Sequence, residues 1–127
     1  MNKNELWKNF ALNIELDSAG MFIYNGLKAF DSLDSLYNPV DIFEIAYNLS
    51  VGIERLFKIA IILIEHTETN TKELEKSLIT HNTIELYNRL NKNNSLNYAP
   101  IQKEFLSILS KFYMSHRYNR FSSSSIP

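Results

Sequence analysis

The groups best suited to binding or transferring a phosphate lie near the C-terminal end of the chain. The segment 114–121, MSHRYNRF, brings together an imidazole, two guanidiniums, an amide and two aromatic rings. Guanidiniums bind phosphate oxygens through paired hydrogen bonds, and aromatic rings stack on bases. If the segment is helical, His116 and Arg120 lie four residues apart on one face, with Arg117 beside them. The candidate binding residues are Arg117, Tyr118, Asn119 and Arg120. The structural alternative is that the cations complement the negative end of a helix while the rings pack on the protein.

A second polar group interrupts the most apolar part of the sequence. Glu54, Arg55 and Lys58 stand among apolar residues, and Glu54 and Lys58 have the spacing of a helical ion pair. Such pairs usually form a solvated edge, and this is the expectation here. The functional alternative is a polar seam facing the last helix, in which Glu54 holds Arg117 or Arg120.

A third candidate is His81, which directly precedes a predicted helix start. Asn82 is the expected cap of that helix, and a lone histidine beside a cap is usually structural. The alternative is a chemical role as an acid or base. The chain contains no cysteine, only three histidines, no H-E-x-x-H pattern and no glycine-rich phosphate loop. We therefore expect neither a metal nor a cofactor.

Helices must position these residues, because apolar side chains recur every three or four positions along most of the chain. Asn38 and Pro39 are a strong helix start and predict a long central helix over 38–66. Gly26 would permit close helix packing, whereas Gly52 interrupts the central helix at modest cost. Further helices are expected over 5–14, from Asp17 or Ser18 to about 33, over 71–78, over 83–90 and from about Pro100, with a polar loop over 91–97. Asn70 with Glu73 and Asn82 with Glu85 have the spacing of reciprocal caps. Whether the first two helices are one bent helix stays open, and the predicted fold is an all-α bundle of four to five helices.

Length and composition agree with a single domain. The chain has 127 residues, is 45% hydrophobic and carries a net charge of -1, which argues against nucleic-acid binding through bulk positive charge. The most apolar run, 59–64, is too short to span a membrane, and the N-terminus lacks the apolar stretch of a secretory signal. We expect one domain over 1–121, no membrane partner and a cytoplasmic location. Residues 122–127 are expected to be a flexible serine-rich tail, or a boundary beyond which more protein follows.

Three segments in order resemble the HEPN superfamily of helical nucleotide-binding domains. They are VGIERLFK at 51–58, THNTIELY at 80–87 and RYNRF at 117–121. The resemblance implies an antiparallel helical bundle that commonly forms a homodimer. Many members are metal-independent endoribonucleases of toxin–antitoxin and phage-defence systems, and others bind RNA, nucleotides or protein partners without catalysis.

The catalytic members carry an arginine followed, after four to six residues, by a histidine. In them a 2′-hydroxyl attacks the adjacent phosphate, the histidine assists proton transfer and the arginine stabilises charge. Arg117 matches the arginine, but serines occupy 122–124, where the histidine should fall. The leading hypothesis is therefore a divergent dimeric module that binds RNA, a nucleotide or a cognate protein partner in a bacterial defence setting. The alternatives are a ribonuclease with a rearranged site, using Arg117 with His116 or His81, and a purely structural adaptor. Glu54, Arg55, Lys58 and His81 would form the supporting polar edge.

Overall fold

The described residues form an all-α bundle of five helices, as the apolar spacing predicts. The computed structural model describes residues 2–94 and 96–118, except the side chains at positions 93, 94, 117 and 118. The helices are α1 (Lys3–Asp31), α2 (Pro39–Glu65), α3 (Thr71–Ser77), α4 (Thr83–Asn94) and α5 (Pro100–Tyr118). Within the described ranges there is no β-strand. None of the helices described is long and apolar enough to cross a membrane.

The first helix is continuous over 29 residues. It starts at a capping box, in which the Asn2 side chain accepts from the Glu5 amide at 2.9 Å and the Glu5 carboxylate accepts from the Asn2 amide at 3.2 Å. The prediction that Asp17 or Ser18 caps a second helix is wrong, because both lie inside α1. Each costs only about 0.5 kcal/mol in a helix interior, which the packing of α1 on α2 readily offsets.

The long central helix is confirmed. The Asn38 side chain accepts from the Val40 amide at 3.0 Å, Pro39 occupies the first helical position, and α2 runs to Glu65. It packs against α1, α4 and α5, which explains why its apolar face is so broad. Two clusters of buried side chains surround it. The main cluster comprises Phe57, Ile61, Leu74, Leu78, Leu86, Tyr87, Leu90 and Leu106, and the smaller one comprises Leu12, Ala19 and Ile59.

Two buried glycines allow α1 and α2 to approach closely. A Cβ at Gly26 would lie 2.9 Å from the side chain of Leu49, which confirms the predicted close packing at this position. A Cβ at Gly52 would lie 2.6 Å from Cγ1 of Ile23 and 3.1 Å from the carbonyl oxygen of Ala19. Gly52 is therefore a packing residue rather than a mere interruption of the helix.

The helices after α2 agree with the prediction, but their caps do not all agree. The helix over 71–78 is observed as α3, whereas α4 continues to Asn94 instead of ending in a loop from Asn91. Asn91 lies in the last turn of α4, and its side-chain oxygen accepts from the amide of Leu96, just beyond the helix, at 2.8 Å. Asn70 makes no side-chain cap and instead bridges Thr67 and Glu65. Asn82 makes half of its predicted cap, accepting from the Glu85 amide at 3.2 Å.

Candidate functional site

A buried carboxylate lies at the centre of the candidate site. Glu54 on α2 is 5% exposed, and its Oε1 accepts from Lys58 Nζ at 2.9 Å and from His81 Nδ1 at 2.8 Å. We call these three residues the Glu54 cluster. The expectation that Glu54 forms a solvated edge is wrong, because α2 is covered by other helices on several sides.

Two elements bring the Glu54 cluster together. Glu54 and Lys58 are one turn apart on α2, so helix geometry alone pairs them. His81 lies just before α4, where the Thr80 hydroxyl accepts from the Asn82 amide at 3.1 Å and fixes the turn. Because α4 contributes Leu86, Tyr87 and Leu90 to the main core, its packing on α2 carries His81 to the carboxylate.

The hydrogen bond between Glu54 and His81 determines where the imidazole proton lies. An ionised carboxylate only accepts hydrogen bonds, so Nδ1 carries the hydrogen and Nε2 presents a lone pair. Nε2 has no hydrogen-bond partner among the atoms that the structure describes, and the His81 side chain remains 29% exposed. The edge of the ring packs on Tyr113 of α5, with centroids 5.9 Å apart. The imidazole is thus oriented on two sides while its basic nitrogen stays open.

Arg55 belongs to a different surface from the other residues of the predicted polar edge. Its Nη1 contacts both carboxylate oxygens of Glu15, at 2.8 and 2.9 Å, and its guanidinium lies 5.5 Å from the ring centroid of Phe22. Arg55 therefore ties α2 to α1. Of the predicted edge, the structure brings together Glu54, Lys58 and His81 and separates Arg55 from them.

His116 lies within a cluster of aromatic rings. Its ring centroid is 5.0 Å from that of Phe43, 5.7 Å from Tyr47 and 6.4 Å from Phe112. Tyr47 in turn contacts Tyr113, so the aromatic cluster leads from His116 towards His81. His116 therefore packs against aromatic rings, whereas His81 is hydrogen-bonded to a carboxylate.

The remaining predicted site residues lie at the end of α5 or beyond it. Arg117 follows Tyr113 by one helical turn, and Tyr118 is the last residue of α5. Their side chains are outside the description, as are Asn119, Arg120 and the tail over 122–127. The hypothesis that Glu54 holds Arg117 or Arg120 therefore stays a prediction, although Oε1 of Glu54 is already bound by Lys58 and His81.

The sequence analysis did not foresee the pairing of Glu54 with His81. The two residues are 27 positions apart, and only the packing of α4 on α2 brings them into contact. The available signal was a glutamate placed on the apolar central helix, since such a carboxylate needs donors from elsewhere.

Neither a metal site nor a known relative identifies the function. Among the residues that the structure describes, no group of three or more His, Asp or Glu side chains could hold a metal ion. Comparison with known proteins finds no matching family model, no matching curated protein and no matching solved structure.

Proposed function

We propose that the chain is a divergent HEPN-like module that binds RNA where the Glu54 cluster meets the end of α5. The observation that carries the proposal is the contact of the first two segments of the resemblance with each other and with α5. The Glu54–His81 hydrogen bond joins the first segment to the second, and His81 packs on Tyr113, one turn before Arg117. Lys58, Arg117 and Arg120 are cationic residues of the first and third segments, and a net charge of -1 conceals such local positive charge.

We propose further that the module acts as a homodimer, because a large apolar surface is open between α1, α2 and α5. A groove of about 400 Å³ between α1, α2 and α5 has an entirely apolar lining. Its exposed side chains include Leu27, Phe30, Leu36, Ile42, Phe105 and Ile108, and Ile101 adjoins them. All seven are more than a third exposed, and Leu36 and Ile101 are 74% and 73% exposed. A contiguous exposed apolar patch of this kind marks a protein–protein interface.

RNA binding is tested by reversing charge at the end of α5. The double variant Arg117→Glu/Arg120→Glu should weaken binding of a fluorescein-labelled single-stranded RNA at least about tenfold in an anisotropy titration, because phosphate contacts dominate such affinity. The salt dependence of the remaining binding should also be shallower. The matched control is Lys72→Glu/Lys76→Glu on the exposed surface of α3, which changes the net charge equally.

The outcomes separate RNA from the other partners. An equal loss of RNA affinity in both double variants would mean that net charge alone explains the effect. Unchanged RNA affinity in the Arg117/Arg120 variant would contradict the proposal. Competition by a free nucleotide would indicate that the site takes a smaller ligand. A parent protein that binds neither RNA nor nucleotide would favour a protein partner or a structural adaptor. A bacterial defence or toxin–antitoxin setting follows only from the resemblance.

A further inference from the structure

We propose that the outer face of α1 is a second self-association surface, on which the α1 helices of two copies pair antiparallel. Four exposed residues carry the contact, and we call them the α1 seam: Asp17, Met21, Tyr24 and Lys28. The seam is separate from the apolar groove of the homodimer proposed above, and it does not depend on that dimer. Where both contacts form, they join dimers into larger assemblies.

Helix α1 is apolar on two sides, but only one of them is covered by the bundle. Its main packing partner is α2, on the side where Ala19 is buried. At 3.6 residues per turn, the exposed residues of the other side point away from Ala19. Among them Phe10, Ile14 and Tyr24 are each 65% exposed, and Met21 is 53% exposed. Because a helix with apolar residues all round is normally buried all round, the outer face of α1 has the composition of an interface.

The residues of this face have the spacing of a coiled-coil seam. Alternating steps of four and three residues separate its members, which are Phe10, Ile14, Asp17, Met21, Tyr24 and Lys28. The two charged members are the exceptions, and polar residues at seam positions set the register and orientation of paired helices. The Asp17 carboxylate and the Lys28 ammonium form no ion pair within the described part of the chain. Both charges are thus available to another molecule.

The α1 seam is complementary to itself in one antiparallel register. When two helices are aligned about the midpoint between Met21 and Tyr24, each Met21 lies opposite Tyr24 of the other copy. The same alignment places each Asp17 opposite Lys28 of the other copy. A two-fold contact of this kind uses the same residues on both sides and closes at two copies. The parallel alternative would place Asp17 against Asp17 and Lys28 against Lys28, which the repulsion of like charges disfavours.

The contact is tested in a variant whose groove is blocked by charge, Phe105→Glu/Ile108→Glu. Sedimentation equilibrium between about 20 μM and about 1 mM should show the mass rising from one copy towards two and no further. Adding Met21→Glu/Tyr24→Glu should keep this variant monomeric over the whole range, because four carboxylates would be buried at each contact. In the parent protein the same range should show masses above that of a dimer.

Exchanging the two charges of the seam tests the register. In the groove-blocked variant, Asp17→Lys alone or Lys28→Glu alone should weaken the pairing at least about fivefold, because each places two pairs of like charges in contact. Asp17→Lys together with Lys28→Glu should restore the dissociation constant to within about twofold, since the opposite charges then meet again. The matched controls are Glu75→Lys and Lys72→Glu on the exposed surface of α3, which change the net charge equally. Circular dichroism verifies the helical content of every variant.

The failures of the two self-association proposals are distinguishable. A groove-blocked variant that stays monomeric at about 1 mM would overturn the pairing of α1, whatever the parent protein does. Masses beyond two copies in that variant, or a charge exchange that restores nothing, would overturn the two-fold register. An equal weakening by the α3 controls would reduce the effect to net charge and overturn the assignment of the seam. A groove dimer that fails to form, or a parent protein that binds no RNA, would contradict the proposed function and leave this inference standing.

Discussion

At the scale of single residues, the ion pair between Arg89 and Glu65 joins α4 to the end of α2. Nε of Arg89 donates to one carboxylate oxygen at 2.7 Å, and Nη2 donates to the other at 2.8 Å. The hydrogen bonds from Arg89 lower the pKa of Glu65 against the opposing effect of burial, and they raise the pKa of Arg89. His81 lies just before the same helix, so this pair helps to hold the Glu54 cluster together.

The lowered pKa of Glu65 predicts a pH-dependent contribution to stability. A carboxyl group whose folded pKa lies below its ordinary value of 4.5 stabilises the fold above that value, and the contribution disappears as the pH falls through the folded pKa. Arg89→Met should lower the free energy of unfolding by about 1 kcal/mol at pH 7, a modest value because the pair is partly exposed. The difference from the parent should shrink between pH 5 and 2 in urea titrations. Lys92→Met on the exposed surface of α4 is the control, and a deficit as large at pH 2 as at pH 7 would contradict the prediction.

At the scale of helices, the crossing of α1 and α2 depends on the absence of side chains at Gly26 and Gly52. The tighter contact is at Gly52, where an added Cβ would meet backbone atoms of α1 as well as Ile23. Backbone atoms cannot rotate away, so the helices themselves would have to separate. The packing of α1 on α2 therefore fixes the position of the α2 face that carries Glu54.

Matched glycine variants test this crossing. Gly52→Ala should destabilise the protein by about 1–3 kcal/mol, because overpacking outweighs the gain in helix propensity. Gly20→Ala should instead stabilise it by up to about 1 kcal/mol, because Gly20 is inside α1 with nothing within 4 Å of an added Cβ. Thermal or urea unfolding measures both. If Gly52→Ala stabilised the protein as much as Gly20→Ala does, the helices would not be tightly packed at Gly52.

The sequence predicts helices better than the contacts between them. The start of α2 at Asn38 and Pro39 follows from local chemistry, so it is foreseeable. Asp17 is ambiguous because the same side chain can cap a helix or sit inside one, and only the packing of α1 decides. The Glu54–His81 pair depends on tertiary packing across 27 residues, which no local spacing reveals.

At the scale of the whole molecule, the bundle has two contrasting surfaces. The Glu54 cluster is polar, because Lys58 and His81 bind the carboxylate, whereas the groove between α1, α2 and α5 is apolar. Phe105 is 49% exposed and Ile108 is 59% exposed on the same face of α5. Such exposure is costly in water and fits the proposed contact with a second copy.

The dimer proposal predicts a change in molecular mass when the groove becomes charged. Phe105→Glu/Ile108→Glu should convert a dimer into a folded monomer, because two buried carboxylates would oppose each association. Size-exclusion chromatography with light scattering measures the mass, and circular dichroism verifies the helical content. Lys103→Glu on the same helix is the control and should remain dimeric. A parent protein that is monomeric at about 100 μM, far above the dissociation constant of a standard interface, would contradict the proposal.

The docking of α4 on α2 has a consequence for the dynamics of the candidate site. Helices α1 and α2 are consecutive in the chain, so their pairing requires closure of only a short loop. The imidazole of His81 reaches Glu54 only while α4 is docked, so a sub-global opening of α4 would separate them and leave the α1–α2 hairpin intact. The fraction of molecules with an assembled site is then set by this local equilibrium rather than by global stability. A ligand that contacts His81 and Lys58 together would shift the equilibrium towards docking and slow hydrogen exchange along α4.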